Sequence, residues 1–292
     1  MERRYIAYPK VNLGLHILGK RADGYHDLET VFIKVKNNSY FDELIFELST
    51  GQPEIIVKGW EENLAIEDNL CYKAFCQIKS LLPDPNLSFK LTIDKKIPTG
   101  AGLGGGSADA GTALQAFNEL FNLNLDLQQL RQAAANLGSD VPFFLCETEI
   151  AYAKGRGIEL ENYDLDLSGY EIRIYPTDVH SSTHEAYAGL DLNALPERAS
   201  LKELLQEPIS AWKDLIFNDF EPSLFNKYPR IAETKQRVFD DGAVFASMTG
   251  SGSACFGIFK QEYTSVLPDL LGFLFDGVVG ALTIGFDALD ID

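Results

Sequence analysis

Between Lys10 and Ile17 the side chains alternate, with Val11, Leu13, Leu15 and Ile17 on one face and Lys10, Asn12, Gly14 and His16 on the other. That period of two predicts a half-buried strand. Ala22-Asp23-Gly24 supplies turn chemistry before the β-rich run His26 to Val35, so the opening reads as a hairpin, and shorter runs at Leu44 to Leu48 and Glu54 to Lys58 extend its sheet. The period then changes. Asp68 or Asn69 caps a helix whose apolar positions are Leu70, Ala74, Phe75, Ile78 and Leu82. Phe89, Leu91 and Ile93 alternate again and lead through Lys95-Lys96-Ile97-Pro98 into a glycine-rich run. A helix follows with Ala110, Leu114, Phe117 and Phe121 on its inner face, and another runs from Asp126 to Leu137, stopped by Gly138.

Past Ala153 the pattern restarts with a strand at Glu171 to Tyr175, helical segments between Ser182 and Phe239, a strand-like pair around Gly250 and a closing strand near Val278 to Ile284. Strands and helices in this irregular order predict an α+β fold over a doubly wound parallel sheet. The chain has 292 residues, near the size at which one core gives way to two. Two lobes are expected, residues 1–155 and 156–292, with no repeat or long polar linker between them.

Composition narrows the partners. Hydrophobic residues at 46% and charged residues at 23% match globular usage. A net charge of -18 repels polyanions, so loose nucleic-acid binding is not expected. A few local cations and aligned backbone N–H groups can still reverse the potential inside one cleft and admit a phosphorylated ligand. Four scattered cysteines, Cys71, Cys76, Cys146 and Cys255, fit reduced thiols in a cytoplasmic protein better than a disulfide scaffold or a zinc site. Met1-Glu2-Arg3-Arg4 has the basic flavour of a signal peptide, but Lys10, Asn12 and His16 follow without a small-residue cleavage site, so the start is expected to be a strand; the apolar segment Leu271 to Phe286 carries Asp276 and is too short for a span. No membrane partner is expected.

The run Pro98 to Ala108 carries the strongest chemical signal. Five glycines between a strand and a helix let backbone N–H groups approach an anion, and the helix N-terminus beyond Ser107 adds its dipole. Glycine clusters also make plain turns. Gly100, Gly102 and Gly105 satisfy the G-x-G-x-x-G spacing of an NAD-dependent oxidoreductase, but Lys95-Lys96-Ile97-Pro98 is not an apolar parallel strand and a β-meander stands where βαβ units belong. Lys10 and Asn12 share a strand face, and Asp140 follows the helix that Gly138 ends. Taken singly, Lys10 reads as a solvated edge lysine and Asp140 as a cap for the turn that Pro142 opens, the commoner fate of an Asp in that place.

Together these stretches resemble a known family. Pro9-Lys10-Val11-Asn12-Leu13, Ile97-Pro98 through Gly106-Ser107, Leu137-Gly138-Ser139-Asp140-Val141-Pro142-Phe143-Phe144 and Met248-Thr249-Gly250-Ser251-Gly252-Ser253 are similar, in order, to the motifs of the GHMP kinases. Arg21-Ala22-Asp23-Gly24-Tyr25-His26 belongs to the same ordered set, and within that superfamily Asp23-Gly24-Tyr25-His26 after a Lys/Asn strand resembles the branch acting on a cytidine-diphosphate-linked methylerythritol in the non-mevalonate route to isoprenoids. Homoserine, mevalonate and galactose kinases lack that stretch.

The resemblance implies a ribosomal-protein-S5-domain-2-like N-terminal lobe, a ferredoxin-like C-terminal lobe, and a cleft that binds ATP with Mg²⁺. It implies Asp140 as the base and Lys10 as its charged partner and phosphate-side cation. Lys96, Pro98, Thr99, Gly100, Ala101, Gly102, Leu103, Gly104, Gly105, Gly106, Ser107 and Ala108 would hold ATP. Asn12, Tyr25, His26, Thr183, Tyr187, Gly250, Ser251 and Gly252 would hold the substrate, with Tyr25, His26 and Tyr187 at the cytosine. For Tyr187 the competing expectation is simple core packing. His16, His184 and Cys255 are expected to be structural, and the assembly a monomer or weak homodimer.

Two departures stand out. Gly155-Arg156-Gly157-Ile158-Glu159 replaces small-Gly-x-Gly-Glu, and Ala108 stands where a serine is frequent. Beside the kinase, the classes in play are the NAD-dependent oxidoreductase, another GHMP small-molecule kinase of homoserine or mevalonate type, and a silent binding protein on the same scaffold. Retention of both Lys10 and Asp140 speaks against the last.

Overall fold

The computed structural model describes residues 2–36, 39–59, 65–192 and 195–261. Its strands are β1 (Glu2–Ala7), β2 (Lys10–Lys20), β3 (His26–Lys34), β4 (Asp42–Thr50), β5 (Glu54–Lys58), β6 (Leu87–Asp94), β7 (Ile150–Gly155), β8 (Glu159–Asn162), β9 (Tyr170–Tyr175), β10 (Phe245–Met248) and β11 (Cys255–Lys260). Its helices are α1 (Leu70–Ile78), α2 (Gly105–Leu120), α3 (Leu127–Ala135), α4 (Val141–Phe144), α5 (Thr183–Ala188), α6 (Leu201–Leu204), α7 (Trp212–Leu215), α8 (Glu221–Lys227) and α9 (Pro229–Asp240). The strands build three sheets, ordered β1-β4-β6-β5, β2-β3-β7-β8 and β10-β11-β9. Mixed helices and largely antiparallel sheets make this an α+β fold. The closing strand expected near Val278 to Ile284 and the segment Leu271 to Phe286 lie outside the described residues. Among the described residues no helix is long and apolar enough to cross a membrane.

Two expectations about the opening are corrected. β4 and β5 do not extend the β2–β3 hairpin: β7 pairs along the far side of β3, from Leu28 opposite Gly155 to Ile33 opposite Ile150, while β4 lies between β1 and β6. The strand pair β7–β8 gives little sequence signal because Ala151 and Ala153 carry small side chains. β2 is also buried on both faces from Lys10 to Ile17. Val11 and Leu13 pack with Ile97, Leu103 and Phe256, while the polar face is covered by the glycine-rich loop and by Glu29. Residue 155, where the sequence reading divides the lobes, is the last of β7, and β8 carries that sheet on to Asn162 before the third sheet begins at Tyr170.

α2 is the central helix of the first core. Ala110, Ala113, Leu114, Ala116 and Phe117 are buried, and Phe117 meets Phe89 and Phe46 at ring-centroid distances of 4.7 and 5.3 Å. This packing fixes where the N-terminus of α2 points.

Under the β2–β3–β7 sheet, Glu29 is buried among three donors. Its Oε1 lies 3.1 Å from His16 Nδ1 and accepts from the Leu201 N–H at 2.9 Å, while Oε2 accepts from the Tyr152 hydroxyl at 2.5 Å. His16 is therefore structural, as expected. Burial alone would raise the Glu29 pKa, but hydrogen bonds from His16, Tyr152 and Leu201 outweigh it and bring the value from 4.5 to about 2. A depressed folded-state pKa stabilises the fold above the unfolded value, and that stability disappears as pH falls from about 4.5 through about 2. Glu29→Gln should be less stable than the parent at pH 7 and should lose less across that acid window. Urea midpoints measured as a function of pH check this; parallel curves for the two proteins would contradict it.

Candidate active site

Lys10 and Asn12 lie two residues apart on β2 and so face the same way. Lys10 is only 3% exposed; its Nζ donates to Asn12 Oδ1 at 2.5 Å and sits 3.2 Å from Asp140 Oδ2. A buried ammonium is tolerated only with partners of this kind. The solvated-edge alternative for Lys10 does not hold.

Asp140 occupies the N-cap position of α4 but makes no side-chain cap hydrogen bond. Its carboxylate, 32% exposed, lines the cleft together with Lys10. Asn12 is fixed from two sides: its Nδ2 donates to Thr30 Oγ1 at 3.0 Å and its backbone N–H donates to Thr249 Oγ1 at 3.1 Å.

The glycine-rich loop is bound to both flanks of this pair. The Lys10 N–H donates to Leu103 O at 2.9 Å, the Ala254 N–H to Ala101 O at 3.1 Å, and Thr249 Oγ1 to Gly102 O at 3.2 Å. Gly102, at φ +75°, lies so close to the Gly250 turn that a Cβ would overlap the Thr249 carbonyl oxygen. Gly104 caps α2 at φ +70°, and a Cβ there would lie 3.1 Å from Lys10 Cε and 3.2 Å from Phe144 Cζ.

The first turn of a helix leaves its N–H groups without intrahelical partners, and in α2 that turn is Gly105, Gly106 and Ser107, all lining the cleft. Gly104→Val should therefore abolish ATP binding while the protein stays folded, because the side chain is strained at that φ and pushes against Lys10. Calorimetric titration beside a thermal melt checks it. Unchanged ATP affinity in a folded variant would place the phosphates elsewhere.

At the other end of the loop, Lys95 Nζ bridges Asp42 Oδ2 at 2.5 Å and Asp109 Oδ2 at 2.8 Å. Asp42 also accepts from the Lys96 and Ile97 N–H groups at 2.6 and 2.8 Å, whereas Asp109 Oδ1 is buried without a hydrogen-bond partner among the described residues. Burial first, then the Asp42 charge, pushes the Asp109 carboxyl up to about 7 against the pull of Lys95. Lys95 and Asp109 both line the cleft. Lys96 does not: its Nζ lies 3.5 Å from Asp94 Oδ2 and 4.6 Å from the Phe41 ring centroid. Ala108 is likewise in the core and not in the cleft lining.

The opposite end is aromatic. His26 stacks on Tyr187 with centroids 4.8 Å apart at 24°, and Tyr187 meets Phe220 edge-on at 4.8 Å. Tyr187 thus both packs and lines the cleft. Burial first, then Lys20, holds the His26 pKa below its usual value, so at pH 7 the imidazole is neutral and offers one donor and one acceptor. Burial and, after it, the Asp140 charge raise the Tyr187 pKa, which puts the aromatic end within the field of the carboxylate.

Thr183 Oγ1 lies 3.0 Å from Ser251 Oγ, and Ser181 Oγ donates to Ser251 O at 2.9 Å. The cleft so formed measures about 880 Å³, and apart from Lys96 and Ala108 every residue expected at the site lines it. His184 is exposed at its rim, and Cys255 is buried, its thiol pushed up to about 12 by burial and by Glu221.

Sequence reasoning missed Lys95, Asp109, Thr249 and Asn218, whose Nδ2 donates to Met248 O at 2.9 Å and Gly250 O at 2.8 Å. Only Asp109 leaves a local trace, as an acidic residue between the buried Ala108 and Ala110.

The sequence pattern described as GHMP kinases N terminal domain matches residues 69–148, and that described as GHMP kinases C terminal matches residues 200–265. The chain belongs to the GHMP kinases. Among curated members, it is 39% identical over 263 residues to the 4-diphosphocytidyl-2-C-methyl-D-erythritol kinase of Azobacteroides pseudotrichonymphae, covering 89% of this chain and 96% of the relative. It is 41% identical over 264 residues to the protein of the same name from Bacteroides thetaiotaomicron, covering 89% and 93%.

The crystal structure of a 4-(cytidine 5'-diphospho)-2C-methyl-D-erythritol kinase superposes with a TM-score of 0.72 at 30% identity, over 88% of this chain and 89% of that one. A homoserine kinase from Cytophaga hutchinsonii, at 18% identity and a TM-score of 0.62 over 89% and 86%, shares the fold. The α+β architecture is the two-domain GHMP kinase fold, and the NAD-dependent alternative is set aside.

Proposed function

We propose that this cleft transfers the γ-phosphate of ATP to the 2-hydroxyl of 4-diphosphocytidyl-2-C-methyl-D-erythritol, giving the 2-phosphate and ADP, a step of the non-mevalonate route to isoprenoids. The observation that carries the chemistry is the buried Lys10 ammonium 3.2 Å from the Asp140 carboxylate, beside a helix N-terminus that opens on the same cleft. Relatives near 40% identity over most of their length support the substrate.

Phosphoryl transfer needs positioning and charge neutralisation more than covalent chemistry. The ATP phosphates lie on the N–H groups of Gly105, Gly106 and Ser107. The acceptor hydroxyl approaches in line and gives its proton to Asp140 as the new O–P bond forms, while the bond to the ADP oxygen breaks. Lys10 holds Asp140 in place and stabilises the equatorial oxygens. Mg²⁺ bound with the phosphates would neutralise their charge, and the Ser107 hydroxyl, which lines the cleft at the start of α2, would offer it a hard oxygen donor alongside phosphate and water. At the far end Tyr25, the neutral His26 and Tyr187 read the cytosine by stacking and hydrogen bonds.

Steady-state rates with the cytidylyl substrate, its uridylyl counterpart, free methylerythritol, homoserine and mevalonate test this reading. A site whose buried polar groups lose their partner discriminates by up to about 10⁴-fold. The cytidylyl compound should be preferred on that scale, and equal rates with the free sugar alcohol, homoserine or mevalonate would overturn it.

A further inference from the structure

Among the described residues, Lys10, Lys95 and Arg156 are the lysine and arginine side chains that line the cleft. Two of the three already face carboxylates, Lys10 with Asp140 and Lys95 with Asp42 and Asp109. Arg156 makes no ion pair or hydrogen bond among the described residues, and its Nε is buried without a partner. Asp23, whose charge it feels, is engaged by Arg21 Nε at 3.1 Å and by the Tyr25 N–H at 3.1 Å.

Arg156 stands in the tight turn between β7 and β8, closed by the Gly157 N–H donating to Lys154 O at 2.9 Å. Its guanidinium carbon lies 3.7 Å from the centroid of the Tyr25 ring, which is itself 51% exposed. Stacking on an aromatic face fixes the plane of a guanidinium and leaves its edge of N–H donors pointing outward. Such an edge matches two phosphate oxygens at once. Glu159, at the end of the same turn, is exposed and does not line the cleft.

We propose that Arg156 is a substrate-binding residue whose guanidinium, held over the Tyr25 ring, takes the diphosphate of the cytidylyl substrate. This rests on the substrate reading above. It gives the phosphodiester end a cation in a protein whose net charge is -18, without drawing Lys10 away from Asp140. A lysine in its place could neither stack as a plane nor bind two oxygens as a fork.

The test is calorimetric binding of CDP and of cytidine, with the ATP site saturated by ADP, to the parent, Arg156→Gln and Arg156→Lys, each checked by thermal melt. The parent should bind CDP more tightly than cytidine. Losing a hydrogen-bonded charge should weaken CDP by about ten- to a hundredfold in Arg156→Gln, with Arg156→Lys only partly restoring it. Cytidine affinity should hardly move in either variant. Equal losses for both ligands would show that Arg156 merely props Tyr25 and would overturn the proposal, as would no loss for CDP. A parent protein that binds neither ligand would instead defeat the cytidylyl reading, and the proposal with it.

Discussion

Asp140→Asn is expected to bind ATP and the acceptor with near-parent affinity and to turn over about 10² to 10⁴ times more slowly, the usual cost of losing a general base. The amide keeps the shape that α4 presents beside Lys10, but it cannot accept the hydroxyl proton. The carboxylate makes no cap hydrogen bond on α4, so any loss of stability should come from the ion pair with the buried Lys10 ammonium 3.2 Å away. Rates at saturating substrate, with binding measured separately, check both halves. Near-normal turnover would remove Asp140 from the role of base.

Lys10→Ala should be slow as well, and it should also weaken ATP handling, because the cation proposed to neutralise the transferring group is gone. It leaves Asn12 and Asp140 without the group that holds them together at 2.5 and 3.2 Å. The two residues are therefore expected to act as one unit. The double variant should be little worse than the worse single variant, whereas independent roles would multiply the losses. A cycle of four steady-state measurements distinguishes the two outcomes.

What could be read from the sequence is what short-range spacing dictates. Lys10 and Asn12 share a strand face by the pleat alone, the glycines of 100–106 announce a close backbone approach, and Gly138 ends a helix just before Asp140. The α+β class followed from the same periodicities.

What could not be read depends on residues meeting from far apart. Thr249 contacts Asn12 from 237 positions away, and Lys95 reaches Asp42 across 53. The strand alternation of Lys10 to His16 looked half-exposed because nothing nearby announces that the glycine-rich loop and Glu29 cover its polar face. β4 sits in a different sheet from the hairpin before it because β7, more than a hundred residues later, pairs along β3 in its place. Arg156 appeared only as a departure from the family pattern; its contact with Tyr25 is made in three dimensions alone.

The most direct test of the account follows ³¹P NMR spectra while the protein is incubated with ATP, Mg²⁺ and 4-diphosphocytidyl-2-C-methyl-D-erythritol. One new phosphate monoester on the methylerythritol unit should appear for each ADP formed, with the cytidylyl diphosphate intact, and both signals should fail together in Asp140→Asn. ADP released without the monoester, or at a rate indifferent to the acceptor, would contradict it.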